Sequence, residues 1–209
     1  VRIWVAGCAT GEEAYSIAML LFERYAAVKL TPNFQLFATD LNDDSLEVGR
    51  KGIYSDAALA EMSPKRIKQF FIRVDEHHFR VSKKLRESVV FACHNLISDA
   101  PFSKLDLLTC RNLLIYLEPD VQRKVIALFH FSLRPNGYLM LGASETIGRA
   151  VDLFEPVPKK FRIYHRIGPR RHDLMELPIM VGDKPEKSIP GSSATPRLPV
   201  GFVEMLNKF

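Results

Sequence analysis

The stretch "VRIWVAGCATGEEAYSIAMLLFE", residues 1–23, constrains the fold more than any other part of the chain. A short apolar run, Val1 to Ala6, enters the turn Gly7-Cys8-Ala9-Thr10-Gly11. Two carboxylates, Glu12 and Glu13, then open a helix carrying Ile17, Ala18, Leu21 and Tyr25 at helical spacing. Strand-like and helix-like periods keep alternating downstream. Phe34–Thr39 reads as a strand and Asp43–Lys51 as a short helix capped by Asn42 or Asp43. Val89–Cys93 and Leu105–Cys110 read as buried strands, and Pro119–Leu133 as a helix with proline in its first turn. Arg134-Pro135-Asn136-Gly137 reads as a turn, with Tyr138–Leu141 and Phe161–His165 as the last two strands. Repetition of this kind predicts a doubly wound, mainly parallel α/β sheet.

Two segments break the rhythm. Between Ser63 and Ser88, the basic helix "SPKRIKQFF" precedes "HHFRVSKKLRES", whose alternation predicts a small antiparallel hairpin inserted before Val89. Beyond Ile167, residues 168–209 are dense in proline, glycine and small polar residues, which bury too little surface to offset ordering entropy. That composition predicts a linker or tail after a domain spanning 1–167.

Chain length and 47% hydrophobic content supply a substantial core. No run approaches the roughly 18 apolar residues of a membrane span, and no leader pattern precedes Val1, so the expectation is a soluble cytoplasmic protein. Cys8, Cys93 and Cys110 form no Cys-x-x-Cys pair, which predicts reduced thiols and no metal site. A net charge of +5 does not require nucleic acid, although it suits an acidic partner.

In an open parallel sheet, ligands sit beyond the carboxyl ends of the strands, where the first strand-to-helix turn lies. Gly7 and Gly11 allow close backbone approach there. The turn lacks the Gly-x-Gly-x-x-Gly of dinucleotide enzymes and the Gly-Lys-Ser/Thr ending of triphosphate loops. Glu12 and Glu13 repel a pyrophosphate but suit a cationic amine or sulfonium. Asp40, ending "LFATD", is placed to hold ribose hydroxyls. An aminoacyl cation joined to a nucleoside describes S-adenosylmethionine, although the spacing of Gly7 and Asp40 leaves a nicotinamide site or a structural turn open.

Five ordered motifs sharpen the reading. "AGCATGEEAYSIAM", "FATDLN", "FACHNL", "LLTCRNLLIYL" and "LRPNGYLMLGASE" resemble the chemotaxis receptor methyltransferases of the CheR type, over Val1 to His165. The resemblance implies a class I S-adenosylmethionine-dependent fold with a seven-stranded sheet, forming methyl esters on receptor glutamates and leaving S-adenosylhomocysteine. Glu13 is similar to the family's acid near the methionine moiety, and Asp40 to its ribose acid. Asn95 and Leu96 correspond to the adenine pair, Arg111 and Asn112 to the active-site Arg-Asn, and Tyr116 to a tyrosine near the transferred methyl. The insertion matches a β-subdomain that helps to dock the cytoplasmic helical region of receptors. The family also carries an N-terminal helical domain closing over the cofactor, whereas this sequence starts at the first strand. The segment "FIRVDEHHFRV" is shorter than in relatives that bind a receptor's C-terminal pentapeptide, which argues against that binding. The tail resembles linkers to sensory modules.

This chemistry needs few catalysts. A glutamate carboxylate is ionised at neutral pH, so attack on a methyl group needs no general base, and Arg111 is the candidate to orient it. Each residue has a structural alternative. Glu12 and Glu13 complement a helix N-terminus, Asp40 and Asn95 cap loops, and Tyr116 packs as an aromatic. Cys8, Cys93, Cys110 and His94 read as buried small groups. Lys65, Arg66, Lys68, Lys83, Lys84 and Arg86 read as a solvated face, or as a surface for an acidic helical partner. Two other functions compete with the receptor methyltransferase: a non-catalytic S-adenosylmethionine-binding regulatory module, and a methyltransferase for another nucleophile, which would need a base that the sequence does not offer.

Overall fold

A computed structural model describes residues 1–157 and 162–169 of the chain. The expected linker therefore lies outside the described residues from position 170 onward. The chain opens with β1 (Arg2–Ala6), α1 (Glu12–Ala27), β2 (Gln35–Asp40) and α2 (Asp43–Lys51). A small unit follows, made of β3 (Ile53–Ser55), α3 (Pro64–Phe70), β4 (Phe71–Arg73), β5 (His78–Val81) and α4 (Lys83–Arg86). The main sheet resumes with β6 (Val89–Cys93) and β7 (Leu105–Cys110), then α5 (Pro119–Ser132), β8 (Leu133–Leu141), β9 (Phe154–Pro156) and β10 (Ile163–Arg166).

The seven-stranded sheet has the order β6-β2-β1-β7-β8-β10-β9. Pairs among β6, β2, β1, β7 and β8 are parallel, while β10 runs antiparallel to β8 and to β9. The chain steps outward from β1 through β2 to β6, then returns to place β7 on the other side of β1. Direction of progress thus reverses between β1 and β7, which opens a crevice at their carboxyl ends.

Alternation along the strands divides the core between two faces. Ile3 and Val5 of β1 pack with α1 residues Ile17, Ala18 and Leu21, whereas Trp4 and Ala6 pack with α5 residues Val125, Ile126 and Phe129. Trp4 is fully buried, and its indole N–H donates to the Thr39 hydroxyl at 2.8 Å, so its polar edge is satisfied. All six residues of β7 are buried, as expected of a central strand covered on both faces.

The three-stranded sheet has the order β3-β5-β4 and is antiparallel throughout. The expected hairpin is β4 with β5, and Ile53–Ser55 adds a third strand ahead of Ser63. The Ser82-Lys83-Lys84-Leu85-Arg86 part of the expected alternation is not strand but contains the short helix α4, with Leu85 buried. Two contacts fasten this unit to the main sheet's layer. Arg66 donates through Nε and Nη2 to the two carboxylate oxygens of Glu23 in α1, at 2.7 and 2.8 Å. The Tyr54 hydroxyl donates to the Thr10 carbonyl in the first turn at 2.7 Å.

Two other expectations are corrected. Arg134–Gly137 does not end an element but lies inside β8, where pairing jumps from Leu105–Leu133 to Leu107–Tyr138. Those four residues form an irregularity with Asn136 at φ 65°, and the chain emerges in the same strand. Phe154–Pro156, for which the sequence reading had no strand, is β9 at the sheet edge. Asn42, rather than Asp43, caps α2 by accepting from the Ser45 N–H at 2.9 Å.

Candidate functional site

Parallel register brings four strand ends level. Ala6 of β1 pairs with Thr39 and Cys110, and Asp40 of β2 pairs with Cys93. Gly7, Asp40, the His94-Asn95-Leu96 segment and Arg111 therefore leave the sheet along one edge, beside the reversal between β1 and β7.

The glycine turn is built from backbone needs. Gly7 (φ 72°), Ala9 (φ 45°) and Gly11 (φ 92°) all adopt left-handed conformations. Gly7 and Cys8 N–H groups both donate to the Thr39 carbonyl, at 2.8 and 2.9 Å. A Cβ on Gly7 would sit 3.0 Å from Leu113 Cδ2, and one on Gly11 only 2.8 Å from the Phe91 ring. The turn is thus packed tightly between its neighbours as well as shaped by glycine. Burial and the nearby Asp40 charge push the Cys8 thiol up to about 12, which leaves it unreactive at neutral pH.

Asp40 holds that turn. Its Oδ2 accepts from Ala9 N–H at 2.9 Å and its Oδ1 from Asn42 N–H at 3.0 Å. Each oxygen keeps a further lone pair for a ligand hydroxyl, so a loop-capping role and a ribose role are compatible. Asn95 is likewise engaged locally: its Oδ1 accepts from Ile97 N–H at 2.9 Å, while its own N–H donates to Asp99 at 2.8 Å. Leu96 buries its side chain in the cluster around Trp4.

Glu12 and Glu13 part company. Glu12 is exposed and accepts from the Thr10 hydroxyl, as an acid at a helix start does. Glu13 points inward, its side chain 18% exposed, 3.7 Å from Nη1 of Arg111, which is 35% exposed. Its Oε1 and the neighbouring Thr109 hydroxyl oxygen are both buried, close enough to influence each other but without hydrogen-bond geometry between them. Burial raises the Glu13 carboxyl above the usual glutamate range, with the Thr109 hydroxyl and Arg111 pulling it back and the Glu145 charge pushing it further up. An unsatisfied carboxylate oxygen in a crevice is a poised acceptor for a cationic donor.

Asn112 follows Arg111 with φ 58°, and Leu114–Tyr116 form one turn of 3₁₀ helix. Tyr116 is 79% exposed, so it does not pack as a core aromatic. Tyr116 and Asn95 lie on the same edge of the sheet as the Glu13–Arg111 pair. Cys93 is exposed, contrary to the expectation of a buried group, whereas Cys8 and Cys110 are buried. Among the described residues, no group of His, Cys, Asp and Glu is arranged to hold a metal ion, and no helix is long and apolar enough to cross a membrane.

Sequence reasoning passed over Glu145 and Thr109. Glu145 is buried yet accepts four backbone N–H bonds, three of them from residues 112–114. Its only sequence signal is an acid closing the apolar "YLMLGAS" run.

A family model described as "CheR methyltransferase, SAM binding domain" matches residues 1–163. The chain belongs to the CheR methyltransferase family. The "Chemotaxis protein methyltransferase" of Vibrio parahaemolyticus is 38% identical over 160 residues, 75% of this chain and 58% of that protein. A "Putative methyltransferase" of Pseudomonas putida is 36% identical over 175 residues, 79% of this chain and 63% of its own length. The "Uncharacterized 104.1 kDa protein in hypE 3'region" of Rhodobacter capsulatus is 37% identical over 169 residues, 81% of this chain but 18% of that protein. This CheR-type chain thus spans less than two thirds of each of these relatives.

The cofactor of the family domain is S-adenosylmethionine, and the crevice fits it. Gly7 and Gly11 give the turn its left-handed course where a Cβ would clash, the Glu13 Oε1 without a hydrogen bond suits an ammonium, and Asp40 retains acceptor capacity. The raised Glu13 carboxyl gives a pH test. Its folded-state pKa lies above the ordinary value, so it takes up a proton at higher pH than an exposed glutamate and loses its attraction for a cation there. Affinity for S-adenosylhomocysteine, measured by calorimetry, should fall as pH drops from neutral into the range just above the ordinary glutamate pKa. Glu13→Gln should flatten that dependence; an unchanged profile would remove Glu13 from the ammonium site.

Proposed function

We propose that this CheR-type domain transfers a methyl group from S-adenosylmethionine to glutamate carboxylates in the cytoplasmic helical region of chemotaxis-type receptors, forming methyl esters. The observation that carries the reading is the Arg111–Glu13 pair at the β1/β7 crevice, a part-exposed cation set 3.7 Å from a half-buried acid. The two groups divide the work. Glu13, facing inward, holds the cofactor's ammonium, while Arg111, beside it and about a third exposed, aligns an incoming carboxylate by charge-assisted hydrogen bonds. Asp40 accepts from the ribose hydroxyls, and Asn95 with the Leu96 backbone brackets the adenine. Asn112 supports the Arg111 loop from the cofactor side, and Tyr116 stands where a substrate helix would pass. When bound, the cofactor supplies an electrophilic methyl carbon on a sulfonium. The chain's residues need not remove a proton, because the accepting carboxylate is already ionised. The small antiparallel sheet, tied to the glycine turn through Tyr54, is the proposed docking element for the receptor, and the setting is cytoplasmic.

A second reading, a non-catalytic regulatory module joined to sensory domains, draws on the Rhodobacter relative, of which the chain matches only 18%. One experiment separates them. The protein is incubated with tritiated S-adenosylmethionine and a receptor cytoplasmic fragment, and base-labile radioactive methanol is collected. Label released from the fragment is the expected result. Tight cofactor binding with no label on any receptor fragment would favour the regulatory module.

A further inference from the structure

We propose that Glu145 is a positioning residue for the methyl-transfer site: its carboxylate clips the Arg111–Leu114 loop to the loop after β8 and so sets the direction of Arg111. The inference rests on the functional reading above, but its physical basis is separate. Glu145 Oε1 accepts from the N–H groups of Leu113 and Leu114 at 2.9 and 2.7 Å. Its Oε2 accepts from those of Asn112 and Gly142 at 3.0 and 2.7 Å. One side chain, 3% exposed, therefore satisfies four main-chain donors from the ends of two adjacent parallel strands.

A buried carboxylate is costly unless its charge is met by donors. Among the described residues no cationic side chain forms an ion pair with Glu145, so the four N–H dipoles do that work. They can do so only if the loop after β7 turns its amides inward, which the left-handed Asn112 (φ 58°) accomplishes. Turning three consecutive amides toward Glu145 fixes the backbone on the C-terminal side of Arg111 and leaves its side chain directed at Glu13. Gly142 belongs to the same device. A Cβ there would lie 2.6 Å from Glu145 Oε2 and 2.9 Å from Asn112 Oδ1, so only glycine lets the carboxylate reach both loops.

The geometry makes two variants informative. E145Q keeps the size of the side chain but replaces one acceptor oxygen with an amino group that faces N–H donors. G142A keeps the carboxylate and displaces it. Both are made in the 209-residue chain and compared with the unaltered chain by circular dichroism, amide hydrogen exchange, calorimetry with S-adenosylhomocysteine and methyl-ester formation on a receptor cytoplasmic fragment. The expected result is an exchange increase of about tenfold or more confined to residues 112–114 and 142, with the amides of Ile3 to Val5 within about twofold. Methyl-ester formation on a receptor cytoplasmic fragment should fall about 10- to 100-fold in kcat/KM in both variants, as loosened alignment of Arg111 predicts, while S-adenosylhomocysteine affinity stays within about twofold. A general stabilising role would instead raise exchange in β1 equally, and that outcome overturns the proposal. So would folded variants that keep kcat/KM within about twofold, or loss of folding in both, since the carboxylate would then serve the fold and not the loop. If the unaltered chain fails to bind S-adenosylhomocysteine, the functional reading falls, and the local exchange pattern alone decides whether the clip exists.

Discussion

Arg111→Ala is expected to remove most methyl-ester formation, by about 100-fold in kcat/KM, while the protein stays folded. The size follows from the reaction: with no proton to move, rate depends on alignment, and loss of alignment at the reacting carboxylate costs about two orders of magnitude. Folding should change little, because the Arg111 side chain is 35% exposed and its ion pair with Glu13 is loose at 3.7 Å. Arg111→Lys should recover only part of the activity, since a point charge cannot grip a carboxylate with two parallel N–H donors. A second readout follows from electrostatics. Arg111 holds the Glu13 pKa down, so its removal should shift the loss of S-adenosylhomocysteine affinity to higher pH. The measurements are base-labile tritium from a receptor fragment and calorimetry across pH. A folded Arg111→Ala protein retaining activity within a few-fold would move the substrate-orienting role elsewhere.

Asp40→Ala should weaken S-adenosylhomocysteine binding by about 1.5–3 kcal/mol, the range for a hydrogen bond to a charged group. Two losses combine here. The ribose hydroxyls lose their acceptor, and Ala9 N–H and Asn42 N–H lose theirs, which releases the left-handed Ala9 from the turn. Asp40→Asn separates them. It keeps one acceptor oxygen, so a variant that restores thermal stability but not affinity assigns the ligand loss to the second oxygen. Unchanged affinity in a folded Asp40→Ala protein would leave Asp40 as a turn-holding residue alone. The same calorimetry tests selectivity, because NAD should bind less well than S-adenosylhomocysteine to the unaltered chain, the half-buried Glu13 repelling a pyrophosphate.

Much of the site was legible along the chain. The apolar run to Ala6, the glycines at 7 and 11, and Asp40 at the end of "LFATD" placed Gly7 and Asp40 at strand ends and Gly11 at a helix start before any packing was known. The reason is that strand length and a parallel sheet fix where each strand stops, so a polar residue just after an apolar run lands on the ligand edge. What the residues do there was less legible. Glu12 and Glu13 are adjacent acids, yet one faces water and the other is drawn beneath Arg111, because successive helical positions differ by about 100° and only one faces the sheet.

The sequence by itself determined the alternation of β1, α1, β2, α2, β6, β7 and α5, with helices at Glu12, Asp43 and Pro119, and the acidic character of the first turn, since these depend on periods and caps within a few residues of each other. Tertiary structure alone decided three things. Ile53–Ser55 became a strand by pairing with His78–Arg80, a partner some two dozen residues away that no local preference identifies. Arg134–Gly137 stayed within β8, although its residues favour a turn, because pairing on both sides of the irregularity outweighs local propensity. Glu145 met Asn112, Leu113 and Leu114 across more than thirty residues, where burial made a lone carboxylate accept whatever main-chain donors the neighbouring loop could turn toward it.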